Sequence, residues 1–307
     1  MSEEARRPEW LRKGKPINPA VIASKARIAH LGLHTVCESA RCPNLSECYQ
    51  SGNATFLILG DACTRNCGFC AVGHGTTAGP DPEEGVKIAE YMRRMEIRYA
   101  VITSVTRDDL PDGGAGHFER VVADIRAALP AVGLELLVPD FRGSREAVQR
   151  VARLPIQVFG HNLETVESLY GRVRAGADYR RSLEVLRIAA SARVGGVRIK
   201  SGIMVGLGEA DDQLEGLFSD AAGAGVEILT IGQYLRPSWS NVPVARYLEP
   251  EQFEELAGLA RARGIPAVQA GPYVRSSYLA EGVYRAGEKN LTTACHGNII
   301  SDESYTD

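Results

Sequence analysis

Residues 55–70 read TFLILGDACTRNCGFC, which places a group of cysteines directly behind a predicted β-strand. Residues 55–59 are β-branched, aromatic or aliphatic and are followed by glycine, as expected of a short buried strand. Cys63, Cys67 and Cys70 follow within one loop, so they lie at the carboxyl end of this strand. In folds built from parallel strands, the carboxyl ends of the strands carry the active site.

Strand-like and helix-like segments alternate along the chain from this point onward. Such alternation predicts a parallel sheet with right-handed crossovers. Six strand–helix units are too few to close an eight-stranded barrel, so we predict an α/β fold, a partial (β/α)6 TIM-like barrel open on one side. A doubly wound sheet is the alternative. The predicted strands are 55–59, 99–103, 134–138, 156–159, 197–205 and 228–231, and the predicted helices are about 82–95, 118–129, 145–152, 179–192, 214–222 and 251–263.

The remaining sequence flanks this barrel on both sides. Asn18 as a cap, Pro19 at the first helical position and Gly32 after the last turn predict a helix before the barrel. Residues 37–52 are rich in Cys, Pro, Asn and Ser and are predicted to form a loop. The predicted parts are an N-terminal extension (1–54), the barrel (55–235) and a C-terminal extension (236–307).

The composition excludes several classes of protein. A chain of 307 residues with 44% hydrophobic and 24% charged residues is ordinary for a globular protein, and its net charge of −3 gives no reason to expect nucleic-acid binding. The chain has no run of 18 apolar residues and no hydrophobic segment of a signal peptide near its start, so we expect a cytoplasmic protein with no membrane partner. Disulfides between its seven cysteines are not expected in that reducing compartment.

A basic cluster lies near the N-terminus and has two interpretations. Charged termini are usually solvated tails, and this is the first interpretation. The second is a contact for an acidic partner protein. The cluster consists of Arg6, Arg7, Arg12, Lys13 and Lys15.

Cys63, Cys67 and Cys70 form a C-x3-C-x2-C pattern that indicates a metal centre. Three thiolates on one short loop can hold a four-iron cluster and leave one iron without a protein ligand, where a small molecule can bind. A structural zinc site is the alternative, but such sites usually combine two C-x2-C pairs and close the fourth position.

A second triad, Cys37, Cys42 and Cys48, forms C-x4-C-x5-C upstream of the first predicted strand. Because that strand separates the two triads, two separate clusters are a simpler interpretation than one shared site. Cys295 stands far from both triads, and we expect it to be a small buried apolar residue.

The first triad, with Phe69 just before its last cysteine, resembles the signature of the radical S-adenosylmethionine (SAM) superfamily. The resemblance implies that SAM chelates the open iron and that one electron cleaves it to methionine and a 5′-deoxyadenosyl radical. The protein's part is to position the cofactor and shield the radical.

The combination of both triads with Arg275-Ser276-Ser277-Tyr278 closely resembles lipoyl synthases. The resemblance implies that Ser277 is the fourth ligand of the auxiliary cluster on Cys37, Cys42 and Cys48, whereas the two serines alone would indicate a turn or a cap. It also gives catalytic roles to Ser277 and to the cysteines of the first triad. We further expect both extensions to cap the barrel mouth.

The resemblance to lipoyl synthases implies insertion of two sulfur atoms at C6 and C8 of a protein-bound octanoyl-lysine. Two 4Fe–4S clusters and SAM are the implied cofactors, with the auxiliary cluster consumed as sulfur donor. The implied partners are octanoylated lipoyl carrier domains, namely E2 subunits of 2-oxoacid dehydrogenases and the glycine cleavage H protein, and an electron donor such as ferredoxin or flavodoxin. Another radical SAM enzyme whose auxiliary cluster is not consumed is the alternative.

Polar or glycine-rich stretches at the ends of later strands also match this family. Arg107 is expected to meet a carboxylate of a ligand or to pair with Asp108 or Asp109, and Asn162 and Glu164 are expected to bind ribose hydroxyls or to cap a helix. The residues predicted to contact cofactor are Phe69, Ser104, Thr106, Arg107, Asn162, Glu164, Lys200 and Met204.

Overall fold

The structure is a computed structural model that describes residues 7–11, 19–50, 55–278 and 280–282. Helices and strands alternate through most of this range, as the sequence predicts. In chain order the elements are α1 (Pro19–His30), α2 (Val36–Ser39), α3 (Leu45–Gln50), β1 (Thr55–Ile58), β2 (Ala62–Cys63), β3 (Gly73–His74), α4 (Glu84–Arg94), β4 (Tyr99–Ser104), α5 (Ala115–Ala128), β5 (Gly133–Leu137), α6 (Arg145–Ala152), β6 (Val158–Gly160), α7 (Tyr170–Val173), α8 (Tyr179–Ala192), β7 (Arg198–Val205), α9 (Asp211–Gly223), β8 (Ile228–Gln233), α10 (Pro250–Ala262) and β9 (Ala267–Gly271).

The main sheet confirms the predicted α/β fold. Seven strands lie in the order β1-β4-β5-β6-β7-β8-β9, and every neighbouring pair is parallel. Within the described residues β1 and β9 are the two edges of this sheet, so the barrel is partial and open. All carboxyl ends therefore meet on one side, where ligands bind in such folds.

Strand β9 was not predicted, and it lies beyond residue 235, in the part of the chain assigned to the C-terminal extension. It begins directly after Pro266, and Gln269 and Gly271 interrupt its apolar residues, so the sequence gives only a weak strand signal there. The division of the chain into three parts remains a prediction.

Local sequence signals explain where several helices begin. Asp178 accepts a hydrogen bond from the backbone N–H of Arg181 at 2.7 Å and caps α8, and Ser144 caps α6 in the same way. Pro250 occupies the first turn of α10, where its missing N–H costs nothing. These caps fix the helix starts that the sequence predicts.

The N-terminal segment packs on the β1 edge of the barrel. Helix α1 begins at Pro19, and Gly32 follows it with φ of 65°, both as predicted, whereas Asn18 and Cys295 lie outside the described residues. The prediction of a loop over residues 37–52 is wrong, because α2 and α3 form there. Packing of α3 against α1 and of α2 against β1 stabilises these short helices although the local helix signal in this cysteine-rich stretch is weak.

No helix among the described residues is long and apolar enough to cross a membrane.

Candidate functional site

The loop of the first cysteine triad is closed at its base by two short parallel strands, β2 and β3. Three backbone N–H groups point at thiol sulfurs. Thr106 N lies 3.3 Å and Arg65 N lies 3.4 Å from Cys63 Sγ, and Val72 N lies 3.4 Å from Cys70 Sγ. Hydrogen bonds to sulfur orient thiolates and tune the potential of a bound cluster. The loop is therefore prepared to present its sulfurs to a metal centre.

The thiols of this loop lie in an environment that disfavours free thiolates. Burial raises the pKa of Cys67 to about 12 and that of Cys70 to about 11, and the mutual repulsion of the cysteines adds to the effect. Arg174 opposes the shift at Cys67. A cationic metal centre must displace the thiol protons when it binds. Its positive charge then offsets the negative charge of the buried thiolates.

An arginine inside the triad anchors the loop to the barrel. The guanidinium of Arg65 donates two hydrogen bonds to Asp108, at 2.7 and 2.8 Å, and two to Asp140, at 2.9 and 2.8 Å. Asp140 also accepts from Nε of Arg181 at 2.8 Å. Burial raises the pKa of Asp140, but the hydrogen bonds and charge of Arg65 outweigh it and hold this pKa well below its usual range.

A second anchor comes from the segment after β8, which the sequence analysis did not identify. Asn241 Nδ2 donates to the carbonyls of Gly68, at 3.2 Å, and Cys70, at 2.8 Å, while Val242 N donates to Gly68 O at 2.9 Å. A Cβ on Gly68 would lie 2.6 Å from Val242 and 2.8 Å from the carbonyl of Arg172, so this position requires glycine. A lone polar asparagine in a loop gave no signal for this role.

A cavity of about 1080 Å³ lies at the carboxyl ends of the strands and joins the two triads. Ser277, which is more than 200 residues from either triad in sequence, lines the same space, and Cys48 is not among the lining residues. The predicted site residues that line the cavity are Cys37, Cys42, Cys63, Cys67, Cys70, Phe69, Ser104, Thr106, Asn162, Glu164, Met204 and Ser277.

The cavity wall beside the first triad carries polar atoms without protein partners. Within the described chain, Asn162 Oδ1 and Ser104 Oγ are buried without a hydrogen-bond partner. Asn162 Nδ2 donates to Glu164 at 3.0 Å and to Ser276 at 2.6 Å. Glu164 has φ of 67°, and burial raises its pKa. Unpartnered buried polar atoms and backbone strain concentrate at ligand sites, so this wall fits a polar ligand such as ribose.

The structure does not bring two of the predicted cofactor contacts to the cavity, since Arg107 and Lys200 do not line it. Arg107 is buried and pairs with Asp109 at 2.7 Å, which is the alternative that the sequence left open. Lys200 is buried in an ion pair with Glu135 at 2.8 Å. Both cations therefore have carboxylate partners within the protein.

The two ends of the described chain meet at the second triad. Asn44 donates to the carbonyl of Tyr273 at 2.7 Å, and Tyr278 donates to Glu47 at 3.3 Å. Burial raises the pKa of Cys37 to about 11. These contacts hold the Arg275–Tyr278 segment against the α2–α3 region that carries the second triad.

The donor set fits iron–sulfur clusters, because each triad offers three soft thiolates. Among the described residues no three His, Cys, Asp or Glu side chains converge where they could hold one metal ion, as a structural zinc site requires. In a four-iron cluster each thiolate binds a different iron, so the sulfurs need not converge on one point.

Comparisons with known proteins agree on the class of this chain. The family model of the Radical SAM superfamily matches residues 57–221. A lipoyl synthase of Nitratidesulfovibrio vulgaris strain Hildenborough is 50% identical over 93% of this chain and 95% of its own length. A lipoyl synthase of Geobacter metallireducens is 52% identical over 90% of this chain and 96% of its own length.

Solved structures resemble this one in fold at low sequence identity. The FeFe-hydrogenase maturase HydG has a TM-score of 0.56 and 14% identity over 81% of this chain and 62% of its own. Methylornithine synthase has a TM-score of 0.52 and 13% identity over 80% of this chain and 76% of its own. These likenesses concern the fold alone.

Proposed function

Because the chain belongs to the lipoyl synthase family of radical SAM enzymes, we propose that it inserts two sulfur atoms at C6 and C8 of a protein-bound octanoyl-lysine. The observation that carries this proposal is that one cavity is lined by all three cysteines of the first triad and by Cys37, Cys42 and Ser277. Hydrogen abstraction and sulfur transfer act on the same carbon atoms, so both centres must face one space.

The cofactors are two 4Fe–4S clusters and SAM. In our proposal Cys63, Cys67 and Cys70 hold the first cluster, and the second triad with Ser277 holds the auxiliary one. When bound, these groups supply the 5′-deoxyadenosyl radical that abstracts hydrogen and the sulfide that becomes product sulfur. Serine oxygen is a harder ligand than thiolate and matches iron–sulfur less well, so Ser277 is suited to leave a cluster that is consumed.

Residues of the polar wall orient SAM in this proposal. Asn162 Oδ1 and the Glu164 carboxyl accept hydrogen bonds from ribose hydroxyls, which would satisfy the atom now left without a partner. Phe69 and Met204 pack with Tyr234 in an apolar cluster and form the adjoining wall. Together these contacts fix the cleaved bond relative to the substrate.

The remaining wall accepts the acyl chain and excludes water. Leu57, Val105, Val138 and Ile203 are buried and line the cavity, which gives an octanoyl chain an apolar surface. Residues 275–277 with Cys37 and Cys42 line the same space, and in this proposal they help to shield a reactive radical from solvent. The proposed partners are octanoylated lipoyl carrier domains, namely E2 subunits of 2-oxoacid dehydrogenases and the glycine cleavage H protein, and a ferredoxin or flavodoxin as reductant. A cytoplasmic location completes the proposal.

The test is to measure iron and acid-labile sulfide in anaerobic protein before and after one turnover with SAM and an octanoyl-lysine peptide. We expect about eight irons per chain, and loss of sulfide in step with lipoyl product. An auxiliary cluster that stays intact while SAM is cleaved would instead favour a radical SAM enzyme with a non-sacrificial cluster. A triple Cys63/Cys67/Cys70→Ala variant is the control, since it keeps the auxiliary ligands but removes SAM cleavage.

A further inference from the structure

The proposed substrate is tethered to a protein, so the carrier must rest outside the cavity while its modified lysine reaches inside. Of the described residues that line the cavity, the exposed ones are Arg7, Ile22, Lys25, Arg41 and Asn66. Four of these five belong to the N-terminal extension. The cavity therefore opens to solvent mainly beside α1 and the α2–α3 region, and a carrier must approach from that side.

The mouth has a charge opposite to that of the whole chain. Three of its exposed residues are cations, although the chain carries a net charge of −3. Lys25 lies 3.4 Å from Glu38, which neutralises part of its charge, yet its side chain stays 46% exposed. Ion pairs at such exposure are weak and leave the cation free to interact with a partner.

An apolar residue lies among these cations. Ile22 is 58% exposed, and Lys25 follows it by three residues on α1, so the two side chains share one face of the helix. Exposed apolar residues next to exposed charged ones are the usual composition of a protein interface, in which the centre is desolvated and the rim is polar.

We propose that Arg7, Ile22, Lys25 and Arg41, here called the mouth patch, dock the carrier domain through an acidic face around its octanoylated lysine. This inference rests on the proposed function. A carrier bound here directs its lysine arm past Cys42, the neighbour of Arg41, toward the space between the two triads. Rim charges of this kind steer association and select the partner more than they change chemistry.

The experiment compares an octanoylated carrier domain with an octanoyl-lysine tripeptide, which has the same acyl group but no folded face. The variants are Lys25→Glu, Arg41→Glu and Ile22→Glu/Lys25→Glu. The matched control is Arg120→Glu/Arg153→Glu, since both arginines are exposed cations that do not line the cavity. We expect kcat/KM for the carrier to fall at least about tenfold further than kcat/KM for the tripeptide, and the control to show no such difference.

Added salt gives a second readout. Raising the ionic strength should lower kcat/KM of the unaltered enzyme for the carrier, and Lys25→Glu should weaken this dependence because it removes one attractive charge. Lys25→Arg and Arg41→Lys should restore carrier use. Because Arg41 adjoins the proposed ligand Cys42, iron content is measured in each variant. The result for Ile22→Glu/Lys25→Glu, which leaves Arg41 unchanged, is interpreted separately from that for Arg41→Glu.

The outcomes separate the two proposals. Equal losses on carrier and tripeptide, or a carrier-specific loss in the control as large as in the mouth-patch variants, would overturn the docking surface. If the unaltered enzyme cleaves SAM but inserts sulfur into neither the octanoylated carrier nor the tripeptide, the proposed function fails instead. In that case anaerobic titration of the octanoylated carrier decides the docking question: binding weakened about tenfold in the mouth-patch variants supports it, and unchanged binding refutes it.

Discussion

Asp140→Asn is expected to destabilise the protein and loosen the loop of the first triad. The Asp140 carboxylate has a side-chain exposure of 0% and accepts hydrogen bonds from Arg65 and Arg181 and from the backbone N–H of Arg142. The substitution removes the negative charge that the two guanidinium groups share while keeping the size of the side chain. Arg65 retains Asp108, whose side chain is partly exposed.

The loss in free energy of unfolding can be judged from this arrangement. Removing one partner of a buried ion pair typically costs 3–5 kcal/mol, because the remaining charge stays buried. Asparagine keeps one acceptor oxygen and Arg65 keeps its second carboxylate, so we expect the lower end, about 3 kcal/mol at pH 7. This is a large part of the roughly 5–15 kcal/mol that stabilises a typical domain, but the protein should still fold.

The pH dependence has a defined sign. The pKa of Asp140 is held well below its usual range, so its stabilisation is complete above the unfolded pKa of about 4 and is lost as pH falls below that value. The difference between the variant and the unaltered protein should therefore be constant from about pH 6 to 8 and should shrink in acid.

The assay is urea unfolding of anaerobic protein followed by circular dichroism, with SAM affinity measured on the same samples. Glu167→Gln is the matched control, because its pair with Arg180 lies at the surface and is screened by solvent. If Asp140→Asn lowers the unfolding midpoint no more than Glu167→Gln does, the carboxylate does not stabilise the fold as argued. A loss of stability without any weakening of SAM binding would show that the anchor serves folding alone.

Cys67→Ala should abolish 5′-deoxyadenosine formation, since it removes a thiolate from the proposed open-iron site; product measured by chromatography at the unaltered rate would contradict the assignment. Ser277→Ala should impair sulfur insertion more than iron binding at the first triad, as judged by product analysis and Mössbauer spectra, and equal loss of both clusters would argue against it. Gly232→Ala should displace the segment before Ser277, because the added Cβ would overlap the carbonyl of Val274. Gly258→Ala on α10, where a Cβ would meet open space, is the control, and the two variants are compared by thermal unfolding and by the iron content of the auxiliary cluster. Cluster loading should release protons near neutral pH and proceed more readily at pH 8.5 than at pH 7, because the pKa of the Cys67 thiol is raised to about 12 and the thiol stays protonated without metal. Loading that is independent of pH and releases no protons would contradict this.

The sequence determined those features that are encoded over short distances. The spacing of Cys63, Cys67 and Cys70 behind a strand predicted one metal loop, and alternating strand and helix signals predicted the parallel sheet that the structure confirms. Side-chain periodicity and helix caps act between residues a few positions apart, so they can be read from the chain directly. Resemblance to a family was still needed to single out Ser277.

Only the tertiary structure decided which distant residues share the cavity and which are used elsewhere. Lys200 carries the same sequence signal as Asn162, a polar side chain on or near a strand, but it faces Glu135 inside the barrel, whereas Asn162 faces the cavity. Asn241 reaches the metal loop from more than 170 residues away, and no local pattern indicates this. Such contacts depend on strand order and on which face each strand buries, since a parallel sheet brings together ends that are far apart in sequence.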